Sequence, residues 1–440
     1  MNLIGLAFTL VASVFVIALP KPLVPIPFLI GALYMTREPV LEVGFANFTL
    51  LQMLVLVGLI RSVAKGEHIA GGMNRVDIYL TIWAVLMLVT CIFHTTDAWV
   101  FRTGMIWTQL GSYFMFRIFV QNLKDVQLMF KVLCIVLIPL AVLMLVEKSI
   151  GKNLFAALGD GREIVDFRHG HFRARGPFGH AILAGVVGAT CFPMALYLWK
   201  IDCKLAIIGM FSAGSIIVAS TASGPIMLLL FILFGMSLYK AHEYLSVIGW
   251  LTLTVIVLLE VIMKDPSYFL MARIDISGGS TGWYRARLIQ SSIEHLDEWW
   301  LVGTDYTRHW MPTGQIANPQ HSDITNHLLW IGVMGGMSSL IFYIMALVAA
   351  FSAVGRALRE NICVSFEHRF LIWTLGAILF GHAWNFISVS LYDQSVVFIY
   401  LILASIGAVQ FPKSFADIEV TKVVGGIRQS RYVLMKRNNE

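Results

Sequence analysis

Apolar runs separated by short polar breaks recur along almost the whole 440-residue chain. They fall at 3–19, 22–36, 45–60, 77–95, 99–120, 126–147, 180–199, 203–220, 224–240, 246–264, 328–353, 367–388 and 394–411. A helix needs about 17–25 predominantly apolar residues to cross a bilayer, and most of these runs reach that length. The pattern predicts an all-α polytopic membrane protein of about 12–13 transmembrane helices, the first two runs being the least regular. The second carries Pro22, Pro25 and Pro27. It reads as a kinked or partial span, tolerated where neighbouring groups satisfy the freed carbonyls.

Two long polar stretches interrupt the pattern, and the chain divides around them. Residues 1–147 form N-terminal transmembrane helices and 148–179 a first extramembrane loop. Residues 180–264 form central helices, 265–327 a large and partly helical loop, 328–411 the C-terminal helices and 412–440 a basic tail.

Composition excludes a soluble domain: 58% of residues are hydrophobic and 13% charged, against roughly 25% charged in soluble proteins. Met1–Leu19 has neither a basic leading segment nor a small-residue cleavage site, so a retained helix is expected rather than a signal peptide. Cys91, Cys134, Cys191, Cys203 and Cys363 all lie in or beside apolar runs without a CxxC pair, which points to buried thiols rather than disulfides or zinc.

The formal charge is +6, and its distribution decides its meaning. Lysine and arginine mark the cytoplasmic side of short loops. Arg61, Lys65 and Arg75, then Lys124, Lys200, Lys204, Lys240, Arg356, Arg359, Arg369 and the tail fall on one side by alternation. Residues 148–179 and 265–327 then lie outside, and the basic excess reads as topology rather than as nucleic-acid binding. No internal repeat of the kind common in secondary transporters is visible.

The first loop is nevertheless rich in arginine, with Arg162, Arg168, Arg173 and Arg175 beside His169, His171 and His180. Guanidinium groups fork onto phosphate oxygens in a way lysine cannot match. The cluster suits a lipid-linked diphosphate at the outer bilayer surface, or arginines snorkelling to lipid headgroups. The histidines lack a cysteine partner and are interleaved with arginine, which argues against a metal.

The second loop carries Arg285 and Arg287, then Trp299, Trp300 and Gly303, then His321, Asp323 and His327 ahead of Gly332 and Gly335. The two tryptophans read as an interfacial aromatic belt. His94 and His382 read as satisfied core histidines. Glu147 and Glu260 lie near outer span ends, either as functional carboxylates or in reach of interfacial water.

These motifs, in this order, resemble the O-antigen ligase and O-antigen polymerase superfamily of bacterial inner-membrane glycosyltransferases. Arg173 lies three residues before Gly176-Pro177-Phe178, with Arg175 competing for the role. Arg285 follows Tyr284 at the opening of the large loop, with Arg287 competing. His321 lies eleven residues before Gly332 and fourteen before Gly335, spacings that His327 lacks. The sequence departs from the family at Ser322, where asparagine is usual, and at Thr221–Pro225, which lacks an arginine. The ordered motifs span about 145–350.

The resemblance implies transfer of a glycan from an undecaprenyl-diphosphate donor to an acceptor hydroxyl at the periplasmic face, with no cofactor and no metal. The acceptor would be lipid A core in a ligase or a growing glycan in a polymerase; the other partners are membrane lipids, and nucleic acid is not among them. Arg173 and Arg285 would stabilise charge on the departing diphosphate, with Arg175 and Arg287 as further diphosphate contacts. His321 would take the acceptor proton as a catalytic base, oriented by Asp323, or would bind the acceptor or a diphosphate oxygen. A lipid-linked glycan flippase is the rival, and it predicts charges along a midplane path rather than in two loops.

Overall fold

The computed structural model describes residues 3–37, 40–43, 46–159, 163–168, 170–273, 282–315, 319–359 and 365–409. In chain order its helices are α1 (Leu3–Ala18), α2 (Pro25–Tyr34), α3 (Leu50–Ala64), α4 (Arg75–Thr90), α5 (Thr96–Phe119) and α6 (Leu123–Ile150). There follow α7 (Ala181–Tyr197), α8 (Cys203–Ser220), α9 (Ser223–Ser237), α10 (Leu245–Ile262), α11 (Leu270–Arg273) and α12 (Gly282–Glu294). The last are α13 (Leu296–Trp299), α14 (His327–Arg359), α15 (Phe366–Asn385) and α16 (Val396–Val409). Two antiparallel hairpins complete the described fold, β1 (Val40–Val43) with β2 (Ala46–Thr49) and β3 (Asp166–Arg168) with β4 (His171–Arg173).

Each of the thirteen apolar runs contains a helix, and among the described residues six helices are long and apolar enough to cross a membrane. This is the architecture of an all-helical membrane protein. Helices α1, α2, α3, α10 and α16 are apolar but shorter. The run at 45–60 is not helical from its start, because residues 46–49 pair as β2 with β1. Thr49 then opens α3 through a reciprocal cap: its hydroxyl accepts from the Gln52 amide (3.4 Å), and its own amide donates to Gln52 Oε1 (2.8 Å). A capping box fixes a helix start more strongly than apolar continuity does. The basic tail, Cys363, Arg162 and His169 lie outside the described residues.

Helix α16 is buried on every side from Val396 to Ala408, as expected of a helix apolar all round. It runs against α5, α15 and α14, while α7 packs on α8 and α9, α6 on α8, and α4 on α14. Small residues allow the closest approaches: a Cβ on Gly188 would meet the Ala213 carbonyl at 2.8 Å, and one on Gly209 would meet Cys134 Sγ at 2.4 Å. Helix α10 keeps Trp250, Leu251, Val261 and Ile262 exposed, a surface suited to hydrocarbon.

The two polar loops emerge at the same end of the bundle. There Arg37 Nη1 donates to the Tyr392 carbonyl (2.9 Å), the Gly179 amide to Asp393 Oδ2 (2.8 Å), and His94 Nε2 meets the Val302 carbonyl (2.8 Å). The opposite end is tied by Arg61–Glu67 (3.0 Å), Arg117–Asp77 (2.9 Å) and Gln121 Nε2 donating to the His68 carbonyl (2.6 Å).

Candidate functional site

The backbone of the first loop is held by three other parts of the chain: Glu147, Ala219 and the Asp393–Gln394 pair. The β3–β4 hairpin sets Asp166 opposite Arg173, and Phe172 closes over Gly151, whose φ of +71° excludes a side chain there. Beyond β4 the Ala174 amide donates to the Ala219 carbonyl (3.0 Å). The amides of Arg175 and Gly176 then donate to the two oxygens of Glu147 (2.9 and 3.0 Å). Gln394 Nε2 holds the Pro177 carbonyl (2.8 Å), and Asp393 holds the Gly179 amide. His180 caps α7 by accepting from the Ile182 amide at Nδ1 (3.1 Å). Glu147 is fully buried, and its place is that of a backbone anchor. Glu260 instead accepts from the Ser267 amide (2.9 Å) at an exposed helix end.

That scaffold presents Arg173, which is 7% exposed and whose Nε is buried without a hydrogen-bond partner among the described residues. Loss of hydration lowers its pKa, Asp166 opposes the fall, and Arg168 deepens it. Arg285, half-buried on α12, is in the same condition: its Nε is buried and unpartnered. Loss of hydration lowers its pKa, Asp323 opposes, and Arg168 again deepens the fall. Arg168 therefore acts on both, and the two loops share one cationic neighbourhood. Arg175 is buried beside it, at 6% exposure. Arg287 is not part of this group, because it turns along α12 to pair with Glu294 at 3.3 Å on an exposed face.

His321 is half-buried, with Nδ1 3.4 Å from the Thr307 hydroxyl. Its pKa is lowered by loss of hydration; Asp305 opposes this and Arg102 adds to it. Asp305 is the hub of a charged group that sequence spacing did not reveal. It binds Arg102 Nη2 (2.8 Å), His94 Nδ1 (3.0 Å) and the Thr95 amide (3.1 Å). Arg102, on α5 and 2% exposed, keeps Nε and Nη1 without partners among the described residues. The visible signal was a charged residue, Arg102, inside the apolar run 99–120.

Several expectations change. The charges that act on His321 are those of Asp305 and Arg102, whereas the field of Asp323 acts on Arg285 and its backbone carbonyl accepts from Tyr284 (3.0 Å). Ser322 is fully buried and clasps Thr307: its hydroxyl donates to the Thr307 carbonyl (2.6 Å), and its amide to the Thr307 hydroxyl (3.0 Å). Trp299 is buried at 4% exposure and donates to the Ser292 carbonyl (2.9 Å), so only the exposed Trp300 remains available to a lipid interface. His327 and His382 are core groups, the first accepting from the Leu391 amide (3.3 Å) and the second meeting the Thr190 hydroxyl (2.8 Å). His94 is satisfied too, but by the Asp305 group.

The glycines downstream of His321 seat the second loop. Gly332 lies under the Trp299 ring, and Gly336, at φ +79°, interrupts α14. The break frees two groups: Val333 accepts from the Thr304 amide (2.8 Å), and the Met337 amide donates to the Trp300 carbonyl (2.7 Å). A cleft of about 610 Å³, open to solvent, lies apart from the arginines and is lined by Arg37, Gln52, Phe101, Met105, Trp330 and Asp393. It abuts the arginine loop through Asp393. Charge rather than concavity marks the site: Arg173 and Arg285 under the charge of Arg168, with His321 on the loop of Arg285. No protein-family model matches the chain, and no curated protein is significantly similar to it.

Proposed function

We propose that the chain is a membrane glycosyltransferase of the O-antigen ligase type, moving a glycan from an undecaprenyl-diphosphate donor to an acceptor hydroxyl. The carrying observation is that Arg173 and Arg285, from different loops, each keep a buried, unpartnered Nε and that the charge of Arg168 acts on both. In this reading the loops face the periplasm from a bacterial inner membrane. Preorganised cations stabilise the charge that grows on the leaving oxygen as the anomeric bond breaks. His321, kept neutral by its surroundings, takes the proton of the attacking hydroxyl. The apolar wall of the nearby cleft, Phe101, Met105 and Trp330, suits a lipid chain. Transfer to a growing glycan uses the same donor chemistry, so a polymerase is the second reading.

The test is product mass from a defined undecaprenyl-diphosphate glycan, with and without lipid A core, using the purified chain in micelles. Glycan on lipid A means ligase, and lengthening on the carrier means polymerase. Arg173→Ala and Arg285→Ala should each cut transfer by at least about 100-fold. Near wild-type transfer by both variants would sink the reading.

A further inference from the structure

On the second loop, away from the arginines, His295, Glu298 and His309 bring three ligand atoms within 4.8 Å of one another. We propose that these three side chains bind one divalent transition-metal ion, with zinc as the best fit. Two imidazoles and a carboxylate form a set that zinc takes with three protein ligands and an open position for water.

The spacing can admit an ion, and the outer contacts and a second imidazole favour one over a bare ion pair. Glu298 Oε1 and His309 Nε2 stand 2.9 Å apart, while ligands around zinc at about 2.0–2.2 Å sit a few tenths of an ångström further apart. A small outward shift of exposed side chains makes room. The outer contacts are also those that orient ligands. His295 Nδ1 meets the Ser291 carbonyl one helical turn back (2.8 Å), which fixes a proton there and leaves Nε2 as the ligand atom. Glu298 Oε2 accepts from the Trp310 indole (2.9 Å), leaving Oε1 for the metal. Finally, the His295 and His309 rings meet edge to face at 4.9 Å. His295 also stacks on Trp310 (5.7 Å), whose indole donates to Glu298, so one scaffold holds the second imidazole beside the other two ligands.

The site joins α13 and its N-cap, His295, to the 308–310 turn. Thr307, the next residue back, clasps Ser322 and touches His321. An ion here clips the turn that positions His321 and takes no part in the transfer chemistry.

The experiment uses the untagged full chain, dialysed against chelator and then titrated with zinc and with cobalt(II). One ion per chain, visible cobalt absorption of tetrahedral type and a change in tryptophan fluorescence on zinc addition are expected. Glu298→Gln and His309→Gln should abolish the cobalt spectrum, Trp310→Phe should weaken zinc binding by about 10–100-fold, and His242→Gln should change nothing. Substoichiometric binding by the wild-type chain overturns the proposal without recourse to any variant. So does binding that persists unchanged in both ligand variants at unaltered elution volume.

Discussion

Both ends of the helix bundle bury arginines, and they do so in opposite ways. At one end Arg117, on α5, is fully buried against Asp77: Nε and Nη2 donate to the two carboxylate oxygens (2.9 and 3.0 Å), and Tyr113 adds its hydroxyl. At the other end Arg173 and Arg285 have carboxylates in their vicinity but, among the described residues, none in ion-pair contact. A buried charge that lacks its counter-ion is costly. A fold that pairs one arginine bidentately and leaves two without a carboxylate in contact fits the proposed division between an arginine that supports the bundle and arginines that receive an anion.

The contrast can be broken most directly by Arg117→Ala, which strands Asp77 in the core. It should destabilise the protein by about 3–5 kcal/mol in chemical unfolding in micelles. Arg285→Ala should instead leave unfolding nearly unchanged and lower glycan transfer by about 100–1000-fold. If stability falls as much in the second variant as in the first, the two ends do not differ in kind.

The pH profile sharpens the comparison. The lowered pKa of His321 keeps the imidazole neutral further into acid, so transfer should hold constant at and above pH ~6.5, the ordinary histidine value. It should fall only as pH drops through the depressed value. Asp305 opposes that depression, so Asp305→Asn should move the acid limb to still lower pH. A limb moving upward would remove Asp305 from the field at His321. The smallest effect belongs to Arg287→Ala, which breaks only an exposed pair with Glu294 and should alter transfer by less than about twofold.

The helices were legible because apolar runs carry their own length, while the central place of α16 emerged only from its burial on every side. Arg173, Arg285 and His321 were legible because each sits in a short ordered motif. The Arg102–Asp305–His94 group was not, since its members lie about two hundred positions apart and meet only when α4 and α5 receive the second loop. The Asp77–Arg117 pair joins two helices forty positions apart in the same silent way. Asp323 misled for the reverse reason. Two positions from His321 in an irregular segment, Asp323 was expected to orient the imidazole, whereas the charge it acts on is that of Arg285. Trp299 misled as well, because a tryptophan pair near a membrane suggests an interface whether or not one ring turns inward.

The interruption of α14 at Gly336 has a consequence in time. The Thr304 amide is locked to Val333, and the Met337 amide to Trp300, so neither proton can reach solvent unless loop and helix part together. Hydrogen exchange at Thr304 should therefore be slow and should match that at Met337, as one cooperative opening unit. The exposed Trp300–Leu301 stretch would then keep the clock of the helix rather than that of a surface loop.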